Sequence, residues 1–148
     1  KEGKNSSKGL ISKTARSPAE LALRPILVDA FGWWQEGGEL VEEFEPFADR
    51  RVRVDFALPR WQIYIEVDGW QNHGAFKQAH HKDRERGLLF SSRNWIPFRI
   101  SYRHAMEEGN WLVMHLRELI TLREPWPEKV LNITFWNTRL GMCRCRLQ

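Results

Sequence analysis

Stretches in the first half of the chain alternate apolar and polar residues with a period of two, the signature of half-buried strands. Residues 40–47 read as a first strand with Glu on one face. Residues 51–57, RVRVDFA, place Val52, Val54 and Phe56 on one side. Residues 61–68, WQIYIEVD, place Ile63, Ile65 and Val67 on the buried side, and Gly69 ends the run. Asp49-Arg50 and Leu58-Pro59-Arg60 have turn composition. A fourth, shorter strand is expected over 94–101, with Ile96, Phe98 and Ile100 on one face.

Helical signals lie on either side of these strands. Ser17-Pro18-Ala19-Glu20 is a helix start, with Ser as the cap, Pro at the first helical position and Glu three residues after the cap. That helix runs through Leu21, Leu23, Ile26, Leu27 and Ala30 to a stop near Gly32, and Pro25 predicts a kink or an early end. Residues 75–90 form a polar helix rich in His, Lys and Arg. Residues 104–122 form a long helix with a broad apolar face that includes Trp111, Val113, Leu116 and Leu119, stopped by Pro125 and Pro127. Periodicity does not assign the tail from 123 to 148. The expected order is α-β-β-β-α-β-α. Three strands joined by tight turns make an antiparallel meander, and a helical crossover brings the fourth in parallel. The expected fold is therefore α/β: one domain with a mixed four-stranded sheet flanked by helices. Residues 17–122 form its body, 1–16 a flexible basic arm, and 123–148 a C-terminal extension.

Composition narrows the class. Of the 148 residues, 42% are hydrophobic and 28% charged, with eight Trp and eight Phe, which argues for a packed core. No apolar run approaches the roughly 18 residues of a membrane span, so no membrane partner is expected. No apolar leader opens the sequence, and Cys143 and Cys145 are too close together to make a disulfide framework. The expectation is a reducing cytoplasmic setting. The net charge is +4. Its distribution is more informative: residues 36–49 carry six acids and no Lys or Arg. Residues 76–103 carry Lys77, Lys82, Arg84, Arg86, Arg93, Arg99 and Arg103 against Asp83 and Glu85. These are either two solvated faces or the footprint of a polyanion.

Candidate chemistry lies in the hairpin. Asp55 sits on the polar face of one strand, and Glu66 and Asp68 on that of the next. An odd-sum antiparallel register, such as 57 opposite 62, brings Asp55 to the face of Gln62, Tyr64, Glu66 and Asp68. Carboxylates that close repel and raise one another's pKa, and a hard divalent cation, Mg²⁺ or Mn²⁺, relieves them. His73, five residues past Asp68, is placed to take a proton from water. Ions and a base are the parts of metal-assisted phosphodiester hydrolysis. Glu20 reads equally as a capping residue, and Lys82, Arg84 and Arg86 as a solvated helix face.

Taken together, Val54-Asp55-Phe56-Ala57, Ile65-Glu66-Val67-Asp68-Gly69, His73, Asp83, Arg86 and Asn94-Trp95 before Phe98-Arg99 resemble the nuclease domains related to very-short-patch-repair endonucleases. These belong to the PD-(D/E)XK superfamily. Ser17-Pro18-Ala19-Glu20 is similar to that group's first-helix motif. The resemblance spans residues 14–103 and implies a restriction-endonuclease-like core. It implies that Asp55 is the central metal ligand and Glu66 the second acidic position, with the Val67 carbonyl completing the Mg²⁺ shell. Asp68 stands where the superfamily often has Lys, and His73 takes over water activation. Glu20 orients water or neighbouring groups. Asp83 matches an acidic position of a homing-endonuclease-like subgroup with a Glu-Asp-x-His-Asp pattern, or it is a salt-bridge partner of a nearby Arg. The structural zinc site of mismatch-repairing relatives has no counterpart in the two late cysteines.

The expected function is a Mg²⁺-dependent DNA endonuclease, with Mn²⁺ substituting. Asp55, Glu66 and Val67 hold metal, and Glu20, Asp68, His73 and Asp83 complete the site. Lys77, Lys82, Arg84 and Arg86 contact DNA phosphates. The chain acts as a homodimer, alone, or as a module of a larger protein, and is nucleoid-associated when bound to DNA. The alternatives are a non-catalytic nucleic-acid-binding module on a nuclease fold, and a structure-specific repair or resolvase nuclease.

Overall fold

The first helix, α1, spans Pro18–Phe31. Ser17 caps it, its Oγ accepting from the Glu20 N–H at 3.2 Å, and Pro18 occupies the first turn, where a missing N–H costs nothing. The helix continues through Pro25, whose ring is exposed, and stops at Gly32 with φ +69°. Leu23 and Leu27 are fully buried, whereas Leu21 is exposed. The computed structural model describes residues 16–68 and 77–148, with the side chains of 77–79 also left undescribed. The basic arm at 1–15, His73 and the Lys77 side chain therefore lie outside the described residues.

The strands β1 (Val41–Glu45), β2 (Val54–Leu58) and β3 (Ile63–Val67) form the expected antiparallel meander. Helix α2 (Lys77–Ser92) leads to β4 (Ile96–Ile100), which pairs parallel with β3. Two expectations are corrected beyond this point. The long helix is two helices, α3 (Tyr102–Glu107) and α4 (Gly109–Thr121). Ser101 opens α3 with a capping box to His104, and Glu108 leaves helical geometry. The break fits the crossing with α1, because a Cβ on Gly109 would lie 2.3 Å from Ile26 Cδ1. The sheet, moreover, has six strands rather than four. Residues 123–148 supply β5 (Ile133–Asn137) and β6 (Cys143–Leu147), an antiparallel hairpin whose β6 pairs parallel with β1. The element order is thus α-β-β-β-α-β-α-α-β-β, and the strand order across the sheet is β4-β3-β2-β1-β6-β5.

This mixed sheet is flanked by helices in one α/β domain. On one face α1, α3 and α4 bury Leu23, Leu27, Ala105, Leu112 and Leu116 against Phe56, Leu58, Ile63 and Ile65. On the other face α2 brings Phe90 onto Phe44, Phe47, Tyr64 and Trp95, with the Tyr64 and Phe90 rings stacked at 4.1 Å. Among the described residues no helix is long and apolar enough to cross a membrane.

Candidate metal centre

The hairpin register sets the site. Phe56 pairs with Ile65, Ala57 with Tyr64 and Leu58 with Ile63. The parity is the expected one. The pairing is displaced from 57 opposite 62 because a 3₁₀ turn, Pro59–Trp61, and Gln62 in the left-handed region (φ +53°) form the connection. Extended along the strands, this register sets Asp55 opposite Glu66. The Val67 N–H donates to Asp55 Oδ2 at 3.0 Å, tying the carboxylate to the neighbouring strand.

Strict alternation does not hold in β1 and β2. Phe56 packs in the core under α1, but Val54, two residues earlier, packs in the core under α2. The same switch occurs in β1. Phe44 packs under α2, while Glu42 turns to the α1 side and accepts two bonds from Arg24, at 2.9 and 3.0 Å. The expectation of Val52, Val54 and Phe56 on one face, and of Glu on one face of β1, is therefore corrected. The faces exchange at the rung of Glu43 and Asp55, where Glu43 has φ +48°. Non-glycine residues adopt that geometry rarely and at some cost.

At this rung three carboxylates from three elements converge. One oxygen each from Glu20, Glu43 and Asp55 lie within 4.8 Å of one another. Burial, then Asp55, then Glu43 raise the Glu20 pKa from 4.5 to about 7, against the opposing bonds from Ser17. Burial raises Asp55 and Glu43 as well. The Val67 N–H opposes the shift at Asp55, and Arg53, Arg16 and Arg144 oppose it at Glu43. Glu42 is neutralised by Arg16 and Arg24, and Glu43 by Arg53 at 2.8 Å. Glu20 and Asp55 have no ion-pair partner among the described residues. Glu20 is thus both a contact of its capping Ser17 and a member of the cluster.

Glu66 is adjacent but differently engaged. Its carboxylate forms an ion pair with Arg86, which also donates to the Arg53 carbonyl at 2.7 Å. Burial raises the Glu66 pKa and Arg86 opposes that rise. Asp68 and Asp83 lie outside the cluster. Both are well exposed and share Arg99, at 3.5 and 3.1 Å. Asp83 is thus the salt-bridge partner of an arginine, one on β4 rather than on its own helix. Lys82 and Arg84 are exposed on α2.

Sequence reasoning missed Glu43. Its signal is the Glu42-Glu43 pair between Val41 and Phe44 in a strand where all four residues are buried. An acid on each face of a buried strand needs partners on both sides. No protein-family model, curated protein or solved structure matches this chain.

Proposed function

We propose that this chain is a metal-dependent DNA endonuclease that hydrolyses phosphodiester bonds, by nicking or by cutting both strands. The supporting observation is the convergence of Glu20, Glu43 and Asp55 within 4.8 Å, with Glu20 holding its proton up to about pH 7. The donor set fits Mg²⁺, with Mn²⁺ as a substitute: hard carboxylate oxygens, two of them on residues (Glu20 and Asp55) without an ion-pair partner among the described residues, and a raised proton affinity at Glu20 that a bound cation would oppose. Glu20, Glu43 and Asp55 would hold the ion, with Glu66 and the Val67 carbonyl as neighbouring oxygen donors. When bound, the ion supplies Lewis acidity and makes a coordinated water acidic near neutral pH.

The chain's own residues have separable tasks. The Val67 N–H fixes Asp55, Arg86 holds Glu66, and Glu20 would give up its proton to solvent if a cation were bound. His73, outside the described residues, is the base by its place in the sequence. Lys82 and Arg84 on α2, with Lys77, meet the DNA backbone, and the +4 charge suits a polyanion. The setting is cytoplasmic, on the nucleoid when DNA is bound.

The test is cleavage of supercoiled plasmid with Mg²⁺ or Mn²⁺, beside Asp55→Ala. Metal-dependent nicking or linearisation by the wild type, lost in the variant, is the expected result. DNA binding without cleavage of plasmid, branched, mismatched or single-stranded DNA would overturn the enzyme in favour of a binding module.

A further inference from the structure

The C-terminal segment, which includes the β5–β6 hairpin, carries the net charge that the rest of the chain lacks. Residues 129–148 contain Lys129, Arg139, Arg144 and Arg146 and no acid, so the first 128 residues balance to zero and the whole +4 resides here. The two arginines of β6 are used differently. Arg146 donates to the carbonyls of Phe47, Ala48 and Arg50 at 3.3, 3.0 and 3.4 Å, pinning the loop after β1. Arg144 has no hydrogen bond or ion pair among the described residues; its Nε, like that of Arg146, is buried without a partner. Opposite Arg144 on β5 stands Trp136, 39% exposed, and direct cross-strand partners share a face. Because Phe44 pairs with Cys145 in the parallel β1–β6 ladder, Arg144 is level with Glu43 of the carboxylate cluster, and its charge acts on that residue.

We infer that this face of the hairpin is a DNA-docking surface continuous with the acidic site, in which the Arg144 guanidinium holds a backbone phosphate and Trp136 packs against a base or sugar of the same strand. The assignment of DNA as the occupant rests on the endonuclease reading. The physical grounds are a segment of net charge +4, a guanidinium with no hydrogen bond or ion pair among the described residues, and an exposed indole beside it. Phosphate contact and aromatic stacking are how proteins hold a nucleic-acid strand without reading its sequence. A cation beside three carboxylates also lets a polyanion approach them, since phosphate next to the bare cluster would be repelled.

Fluorescence anisotropy of a short labelled DNA duplex, titrated with the full chain in EDTA, reads binding without cleavage. Arg144→Gln and Trp136→Ala are each expected to weaken binding about three- to tenfold, and Arg144→Gln to reduce the salt slope of log affinity by about one. Arg144→Lys keeps the charge and is expected to retain most of the affinity, which a merely structural role would not predict. Wild-type binding that is unchanged in both variants overturns the surface, while Mg²⁺-dependent cleavage in parallel samples leaves the endonuclease standing. Binding that depends on Arg144 and Trp136 without any cleavage keeps the surface and overturns the enzyme. Displacement of the duplex by RNA at lower concentration than by DNA overturns the choice of DNA.

Discussion

Replacing Glu20 by Gln removes the one carboxyl whose proton affinity the cluster moves into the neutral range. Its pKa rises from 4.5 to about 7 through burial and the charges of Asp55 and Glu43. At about 1.4 kcal/mol per tenfold in proton affinity, the ceiling is near 3.4 kcal/mol, and because Glu20 is partly open to solvent, screening brings this to about 1–2 kcal/mol. The sign follows from linkage. Between pH 4.5 and about 7 the folded chain keeps a proton that the unfolded chain has released, so stability falls as pH rises through that window, and the loss is complete above it. Gln carries no such charge but preserves the contact with Ser17. Urea unfolding of both proteins without divalent metal, at pH 4.5 and pH 8, is the assay. The variant is expected to gain about 1–2 kcal/mol on the wild type between the two pH values. Mg²⁺ at pH 8 should then stabilise the wild type more, by about 2.7 kcal/mol at a hundred times its Kd. Stability curves that run parallel in pH, with equal responses to Mg²⁺, would refute the electrostatic account of the cluster.

Glu43→Gln should weaken Mg²⁺ binding at least tenfold by isothermal titration and lower cleavage with it, whereas Glu42→Gln, whose carboxylate is already held by two arginines, should leave the Mg²⁺ affinity within about twofold. Arg86→Ala leaves the partly buried Glu66 unpaired and should cost about 1–3 kcal/mol in urea unfolding at pH 8, and less as the pH falls, because burial raises the Glu66 pKa and favours its neutral form. Gly109→Ala drives a Cβ to 2.3 Å from Ile26 Cδ1 and should cost about 1–3 kcal/mol, while adding Ile26→Val removes that methyl and should recover part of the loss; equal melting temperatures for Gly109→Ala and the wild type would contradict the close crossing of α1 and α4.

Much of the fold is written in short-range signals. The period-two runs around Val54–Leu58 and Ile63–Val67, the Ser17 cap and the Gly32 stop depend on neighbours a few residues away, so they read directly from the chain. The parallel entry of β4 follows from the crossover through α2. That Asp55 and Glu66 share a face was also within reach, since an odd-sum register decides it; their direct opposition was not, because the turn at Pro59–Trp61 shifts the pairing. The division of the last helix was not legible, and the close packing of Gly109 on Ile26 beside it joins residues over eighty positions apart.

The C-terminal strands were hidden for a related reason. Residues 133–137 and 143–147 become an ordered part of the sheet by pairing β6 with β1, a partner about a hundred residues distant, and nothing local names that partner. The cluster depended on packing most of all. Alternation assigns each strand residue to one face, yet the cores under α1 and α2 exchange faces at Glu43 and Asp55, and only that exchange brings both residues to Glu20 at the start of α1. Periodicity fixes which residues can be strand or helix because it reflects each residue's immediate neighbours. Which carboxylates meet was decided by how two cores share one sheet, which is a property of the assembled layers.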